Sequence, residues 1–168
     1  MNNWLCLENK TAIVTGGASG IGYATVCELL ADGANVAVCD INPQSPAFPE
    51  GYDDRLLYVP TDVTSRESVK AMVQAVLGRF GRIDVLVNNA GINLPRLLVD
   101  EDGQYELDDA VWDKVMNVNL KGLFYCSQEA ARAMVKQGGG VIVNMSSECG
   151  LEGSEGQSVY AASKGAIN

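Results

Sequence analysis

The segment that most restricts this chain is Ala12-Ile13-Val14 followed at once by Thr15-Gly16-Gly17-Ala18-Ser19-Gly20-Ile21-Gly22. A short apolar run reads as a buried strand, and the glycines behind it end that strand in a tight turn. From Ile21 to about Ala31 the pattern becomes helical, with Val26, Leu29 and Leu30 on one face. Glycines in such a turn permit close backbone approach, while the free N–H groups of the helix start face an anion such as a pyrophosphate. The spacing Gly-x-x-x-Gly-x-Gly is a variant of the dinucleotide fingerprint. Taken alone, the turn also fits an ordinary strand–helix connection. The lysine and serine of a nucleoside-triphosphate loop are absent, which disfavours ATP.

The same alternation runs through the rest of the chain. Val36-Ala37-Val38-Cys39 predicts a second buried strand, closed by Asp40. Residues 42–54 hold Pro43, Pro46, Pro49 and Gly51 and read as a loop, and Leu56-Leu57-Tyr58-Val59 as a third strand. Thr64-x-x-Glu67 predicts a capping box, with Val69, Met72, Val73, Val76, Leu77 and Phe80 in helical register behind it. Residues 83–87 and 141–143 are a fourth and fifth strand, separated by a polar stretch at 93–108 and one long helix over about 109–137. Apolar strands alternating with helices predict an α/β fold, a Rossmann-type doubly wound parallel sheet with helices on both faces. Ligands of such sheets sit beyond the carboxyl ends of the strands, at the switch point.

Length and composition narrow the function. The 168 residues, 47% of them hydrophobic, suit a single domain spanning 1–168 with a real core. A net charge of −9 argues against nucleic acid and anionic membranes, which need basic patches. No basic, apolar-cored leader opens the chain, and no run approaches the roughly 18 apolar residues of a membrane helix, so a soluble, cytoplasmic protein is expected. The five cysteines form no Cys-x-x-Cys pair, which fits reduced thiols and no structural zinc. There is no histidine. That removes the Ser-His-Asp triad and histidine-based metal sites, and leaves acid–base chemistry to a perturbed Tyr, Lys, Cys or carboxylate. No metal is expected.

Candidate site residues then appear at the predicted strand ends. Asp40, 18 residues beyond Gly22, can accept both ribose hydroxyls of an adenosine and would repel a 2′-phosphate. No Arg or Lys occupies the glycine loop or positions 41–54, so NAD is preferred to NADP. Asn88-Asn89-Ala90-Gly91 follows the fourth strand. Asn119 lies on the long helix in register with Trp112, Val115, Met116 and Leu123, where its amide must find partners inside. Ser146-Ser147 follows the fifth strand. Tyr160 and Lys164 stand i, i+4 on the next helix, phenol and ammonium on one face. Each feature alone has a structural explanation; their order and placement together do not.

The motifs Thr-Gly-x-x-x-Gly-Ile-Gly, Asn-Asn-Ala-Gly, Asn-Leu-Lys-Gly, a serine thirteen residues before Tyr160, and Tyr-x-x-x-Lys resemble those of the short-chain dehydrogenase/reductase family over essentially the whole chain. The resemblance implies a catalytic tetrad of Asn119, Ser147, Tyr160 and Lys164. It also implies a cofactor site built from Gly16, Ser19, Gly20, Ile21, Gly22, Asp40, Asp62, Val63, Asn89, Ala90 and Gly91, completed by Tyr160 and Lys164. In that reading Asp62 meets the adenine, Asn119 holds a water that connects Lys164 to solvent, and Ser147 orients the substrate oxygen. The chemistry is sensible independently. A phenol has a pKa of about 10, and a neighbouring ammonium favours the phenolate that can take an alcohol proton.

The variable segments 93–101, 105–107 and 147–157 are similar to family members acting on sugar-alcohol phosphates, which implies NAD-dependent oxidation of a polyol phosphate. Polar Glu148, Glu152 and Gln157 suit such a substrate. Arg96 is the candidate phosphate contact, and Ser147, Glu148 and Gln157 complete the expected substrate set. Alternatives stay open: another secondary alcohol, a 3-oxoacyl substrate, or a fragment that binds NAD without turnover. The family's fold continues past the Tyr160 helix, so the C-terminal strands are expected to be missing here, leaving the fifth strand as an apolar edge. A full-length form is expected to be a homodimer or homotetramer with a small-molecule substrate.

Overall fold

The computed structural model describes residues 5–168; the first four residues, on which the reading of the chain's start partly rests, lie outside the described residues. Five parallel strands form one sheet: β1 (Thr11–Thr15), β2 (Asn35–Asp40), β3 (Leu56–Pro60), β4 (Val85–Asn88) and β5 (Val141–Asn144). Their order across the sheet is β3-β2-β1-β4-β5, which puts the topological switch between β1 and β4. Successive side chains of a strand face opposite ways, and here both faces are apolar. Ile13, Ala37, Cys39 and Leu86 enter one core with Val69, Met72 and Val76 of α2 (Arg66–Phe80). Val14, Val36, Val38 and Val87 enter the other with Val26 and Leu30 of α1 (Gly20–Ala31). The doubly wound α/β fold expected from the sequence is the fold observed.

Two local expectations fail for identifiable reasons. The capping box at Thr64 does not form, because Asp62 takes Thr64 first: its Oδ1 accepts from Thr64 N at 2.8 Å and from Thr64 Oγ1 at 2.7 Å. Ser65 caps α2 instead, accepting from Ser68 N at 3.3 Å. The long helix over 109–137 is not uniform. It comprises α3 (Asp109–Met116), a π turn (Asn117–Gly122) and α4 (Leu123–Gln137), with right-handed helical backbone at both joints. A face counted at 3.6 residues per turn drifts across the wider turn. Val115 and Asn119 are buried as expected, whereas Trp112 is exposed.

The fifth strand is an edge, as expected. β5 pairs only with β4 among the described residues, and Val141, Ile142 and Val143 are 58%, 37% and 42% exposed. A short helix, α5 (Cys149–Glu152), precedes α6 (Ser158–Gly165), which carries Tyr160 and Lys164. Among the described residues no helix is long and apolar enough to cross a membrane, and no cluster of His, Cys, Asp and Glu could hold a metal ion.

Candidate active site

The turn after β1 is held from below by two side chains. The Thr15 hydroxyl donates to Val87 O at 3.4 Å and accepts from the N–H groups of Asn89 and Ala90, each at 3.1 Å. Asn89 Nδ2 donates to both Thr15 O and Gly16 O at 3.0 Å. The first helical turn presses so closely on this stitching that a Cβ on Gly22 would lie 2.1 Å from Gly16 O, and Gly16 itself has φ +64°. Ser19 begins α1 without a side-chain cap. The first N–H groups of the helix are therefore open to an anion. Thr15, which opens the Thr-Gly motif but stands outside the expected cofactor set, carries this geometry; a buried hydroxyl at a strand end is its signal in the sequence.

Beyond the carboxyl ends of β1 to β4 lies a cleft of about 680 Å³. Gly16, Ser19 and Ile21 line one wall, Asp40, Asp62 and Val63 another, and Asn89, Ala90 and Gly91 the floor towards β4. Asp40 Oδ2 accepts from Ala18 N of the glycine turn, and Oδ1 from Asn42 N, both at 3.0 Å. Each oxygen keeps a lone pair for a further donor. Asp62 spends Oδ1 on Thr64 and keeps Oδ2. Gly20 and Gly22 shape the turn without lining the cleft. Lys114 and Val118, from α3 and the π turn, also line it; both come from a helix remote in sequence from the glycine turn and residues 41–54, so spacing along the chain gives no signal for them.

A second recess of about 230 Å³ adjoins this cleft and shares Ile21, Asn89, Gly91 and Ile92 with it. Tyr160 and Lys164 line it with Asn93, Met145 and Ser146. Lys164 is only 5% exposed; its Nζ donates to Met145 O at 2.5 Å and lies 5.7 Å from the Tyr160 ring centroid. Burial pulls the ammonium below the ordinary lysine value. Two of its three protons remain for other acceptors.

Asn119 is buried beneath this recess and acts as a clamp. Its Oδ1 accepts from Ile92 N at 2.8 Å, and its Nδ2 donates to Ile92 O at 2.9 Å and to Ser163 Oγ at 3.0 Å. Ser163 in turn donates to Tyr160 O at 2.7 Å. Both amide protons are consumed, so the side chain has one acceptor lone pair left for the water expected of it. Ser163 occupies a variable position of Tyr-x-x-x-Lys, so the motif carries no signal for this role.

The remaining expected residues divide. Ser147 does not line the recess; its hydroxyl accepts from Cys149 N at 3.3 Å, while neighbouring Ser146 lines the recess and donates to Lys164 O at 3.2 Å. Glu148 is exposed at the start of α5 and lines neither cavity. Arg96 and Gln157 are brought together: Arg96 N donates to Gly156 O at 2.7 Å, and the two residues form an isolated parallel bridge. The Arg96 guanidinium donates to Pro95 O and has no ion-pair partner among the described residues.

A cleft beyond the strand ends thus adjoins a recess lined by Tyr160 and Lys164 at the β1/β4 switch. The chain belongs to the short-chain dehydrogenase family, whose model matches residues 10–168. It is 54% identical over 171 aligned positions to sorbitol-6-phosphate 2-dehydrogenase of Klebsiella pneumoniae, covering 100% of this chain and 63% of that protein. It is 42% identical to the 3-oxoacyl-[acyl-carrier-protein] reductase FabG of Thermotoga maritima, covering 96% of this chain and 65% of the relative. A 3beta-hydroxysteroid dehydrogenase 2 of Eggerthella lenta is 39% identical over a similar span. The chain thus spans a little under two thirds of the length of these relatives.

Proposed function

We propose that residues 1–168 are the coenzyme-binding domain of an NAD-dependent dehydrogenase that oxidises D-sorbitol 6-phosphate to D-fructose 6-phosphate. The observation that carries this reading is the Tyr160–Lys164 recess opening directly into the cleft beside Asp40. The cleft fits a nicotinamide dinucleotide: open helix N–H groups for the pyrophosphate, a free lone pair on each Asp40 oxygen for the ribose, and Asp62 Oδ2 for the adenine amine. Asp40 also supports NAD over NADP, since its charge opposes a 2′-phosphate. Bound there, the oxidised nicotinamide supplies the acceptor for the hydride leaving the alcohol carbon.

The protein's own residues handle the proton. Tyr160, as general base, takes it from the alcohol oxygen, with Lys164 Nζ 5.7 Å from its ring centroid in the same recess. Asn119 and Ser163 hold the Tyr160 helix against the segment after β4. Ser147, whose hydroxyl accepts from Cys149 N and keeps its proton to donate, orients the substrate oxygen. Arg96, with Glu148 and Gln157, completes the substrate side. The exposed Trp112, Phe124 and Val135 along α3 and α4 support a homodimer or homotetramer for the whole protein. The 54% relative supports the polyol phosphate, and the 42% relative favours a second reading, reduction of a 3-oxoacyl substrate.

The test is NADH formation from NAD and D-sorbitol 6-phosphate, beside Tyr160→Phe and beside NADP. Turnover with NAD that falls about 10³-fold in the variant is expected. Undiminished turnover in Tyr160→Phe would overturn the assignment of the base. Reduction of a 3-oxoacyl thioester without oxidation of the polyol phosphate would overturn the substrate.

A further inference from the structure

The recess around Tyr160 has a polar feature that the expected tetrad does not use. Asn93 lines it, two residues beyond Gly91, and Asn93 Nδ2 donates to Gln157 Oε1 at 3.2 Å. Gln157 stands at the start of α6, three residues before Tyr160, and its backbone oxygen accepts from Ala161 N at 2.7 Å. The same Oε1 also accepts from Cys149 Sγ at 3.5 Å. The two loops are further joined by the Arg96 N bond to Gly156 O. Two side-chain amides are therefore held together at the edge of the recess, Asn93 lining it and Gln157 bonded behind, by a bond that uses one half of each. Asn93 Oδ1 and Gln157 Nε2 are left without a partner among the described residues: one acceptor and one donor.

A free acceptor beside a free donor matches one substrate group well, a hydroxyl, which donates once and accepts from another partner. Tyr160 meets the oxygen of the reacting carbon; Asn93 lines the same recess, and Gln157 stands at the start of the helix that carries Tyr160. We infer that the Asn93–Gln157 amide pair reads a hydroxyl on the carbon next to the one being oxidised, and so selects vicinal diols over alcohols flanked by methylene. This rests on the proposed dehydrogenase activity and deepens it. A polyol carries such a hydroxyl, whereas the position next to a 3-oxoacyl carbonyl is a methylene. A site built to hydrogen-bond a hydroxyl discriminates strongly against an analogue lacking it, because its polar groups are then left unpaired. Both amides are on an exposed lip, so water moderates the effect, to a preference of about 10- to 100-fold.

The experiment measures kcat/KM with NAD for butane-2,3-diol and butan-2-ol, beside D-sorbitol 6-phosphate, in the protein carrying this chain in full. Wild type is expected to favour the diol. Asn93→Leu and Gln157→Leu are expected to bring the two simple alcohols to within about 3-fold of each other, mainly by lowering kcat/KM for the diol. Gln157→Glu is the decisive variant. It keeps the acceptor for Asn93 Nδ2 and removes the donor, so a purely structural clamp would retain the diol preference in full, whereas a hydroxyl contact loses the bond the hydroxyl accepts and the preference falls at least about 3-fold. Retained preference in Gln157→Glu, or equal or absent turnover of the two simple alcohols by wild type, overturns the inference. A diol preference erased by the variants but without oxidation of D-sorbitol 6-phosphate would leave the inference standing and overturn the polyol phosphate as substrate.

Discussion

The two rims of the same opening are built on different principles. The inner rim, formed by the turn after β1 and the residues after β4, is tied through Thr15 and Asn89 to backbone atoms, and Gly22 leaves no free volume above it. The outer lip, from Asn93 to Leu107 and from Ser147 to Gln157, is held by isolated bridges, Arg96 to Gln157 and Leu97 to Glu106, and exposes Leu98, Val99, Tyr105 and Leu151. One rim is over-determined before any ligand arrives; the other has few buried contacts to lose. Mobility and sequence variation are expected on the second.

Substitutions should expose the contrast. Gly22→Ala puts a methyl into Gly16 O and is expected to destabilise the fold by about 3 kcal/mol or more and to weaken NAD binding, read by urea unfolding and by NAD titration. A variant as stable as wild type would mean the turn can give way, and the contrast would collapse. Asn89→Ala orphans the carbonyls of Thr15 and Gly16 and is expected to cost about 2 kcal/mol.

A pH-dependent effect comes from the thiols under the inner rim. Burial pushes Cys126 from an ordinary value near 9 up to about 12, and Cys39 higher still. The folded state keeps these protons while the unfolded chain releases them, so stability falls as pH rises above 9 and goes on falling towards 12. The slope is about 1.4 kcal/mol per pH unit for each thiol. Unfolding free energies between pH 9 and 11 for wild type and Cys126→Ala check this: the variant should show the shallower decline. At the bottom of the scale, Leu98→Ser and Val99→Ser on the lip should change stability by less than about 0.5 kcal/mol. A loss near that of Asn89→Ala would show the lip to be as tightly built as the inner rim.

Most of the fold was legible because its strands are buried on both faces, so apolar runs such as residues 36–39 mark them without any partner being known. The glycine turn, Asp40, Asn89 and the Tyr160–Lys164 pair were legible because backbone geometry or strand-end position demands them. What escaped depends on competition in space. Asp62 captures Thr64 and moves the α2 cap to Ser65. Lys114 enters the cleft from a helix remote in sequence. Ser147 is turned towards Cys149 N by the short helix α5, which no periodicity announced. The bridges of the lip join residues 96 and 157, a pairing that composition alone cannot specify.

The π turn has a consequence for how this chain could change by deletion. A π turn is equivalent to one extra residue within an α-helix. Removing a single residue, such as Val118, is expected to let Asn117–Gly122 close into ordinary α-helical turns while α3 and α4 keep their phases. Asn119 would then lose its place opposite Ile92 and Ser163. The fold would survive a loss that disconnects its site, and one missing codon would separate the ability to fold from the ability to work.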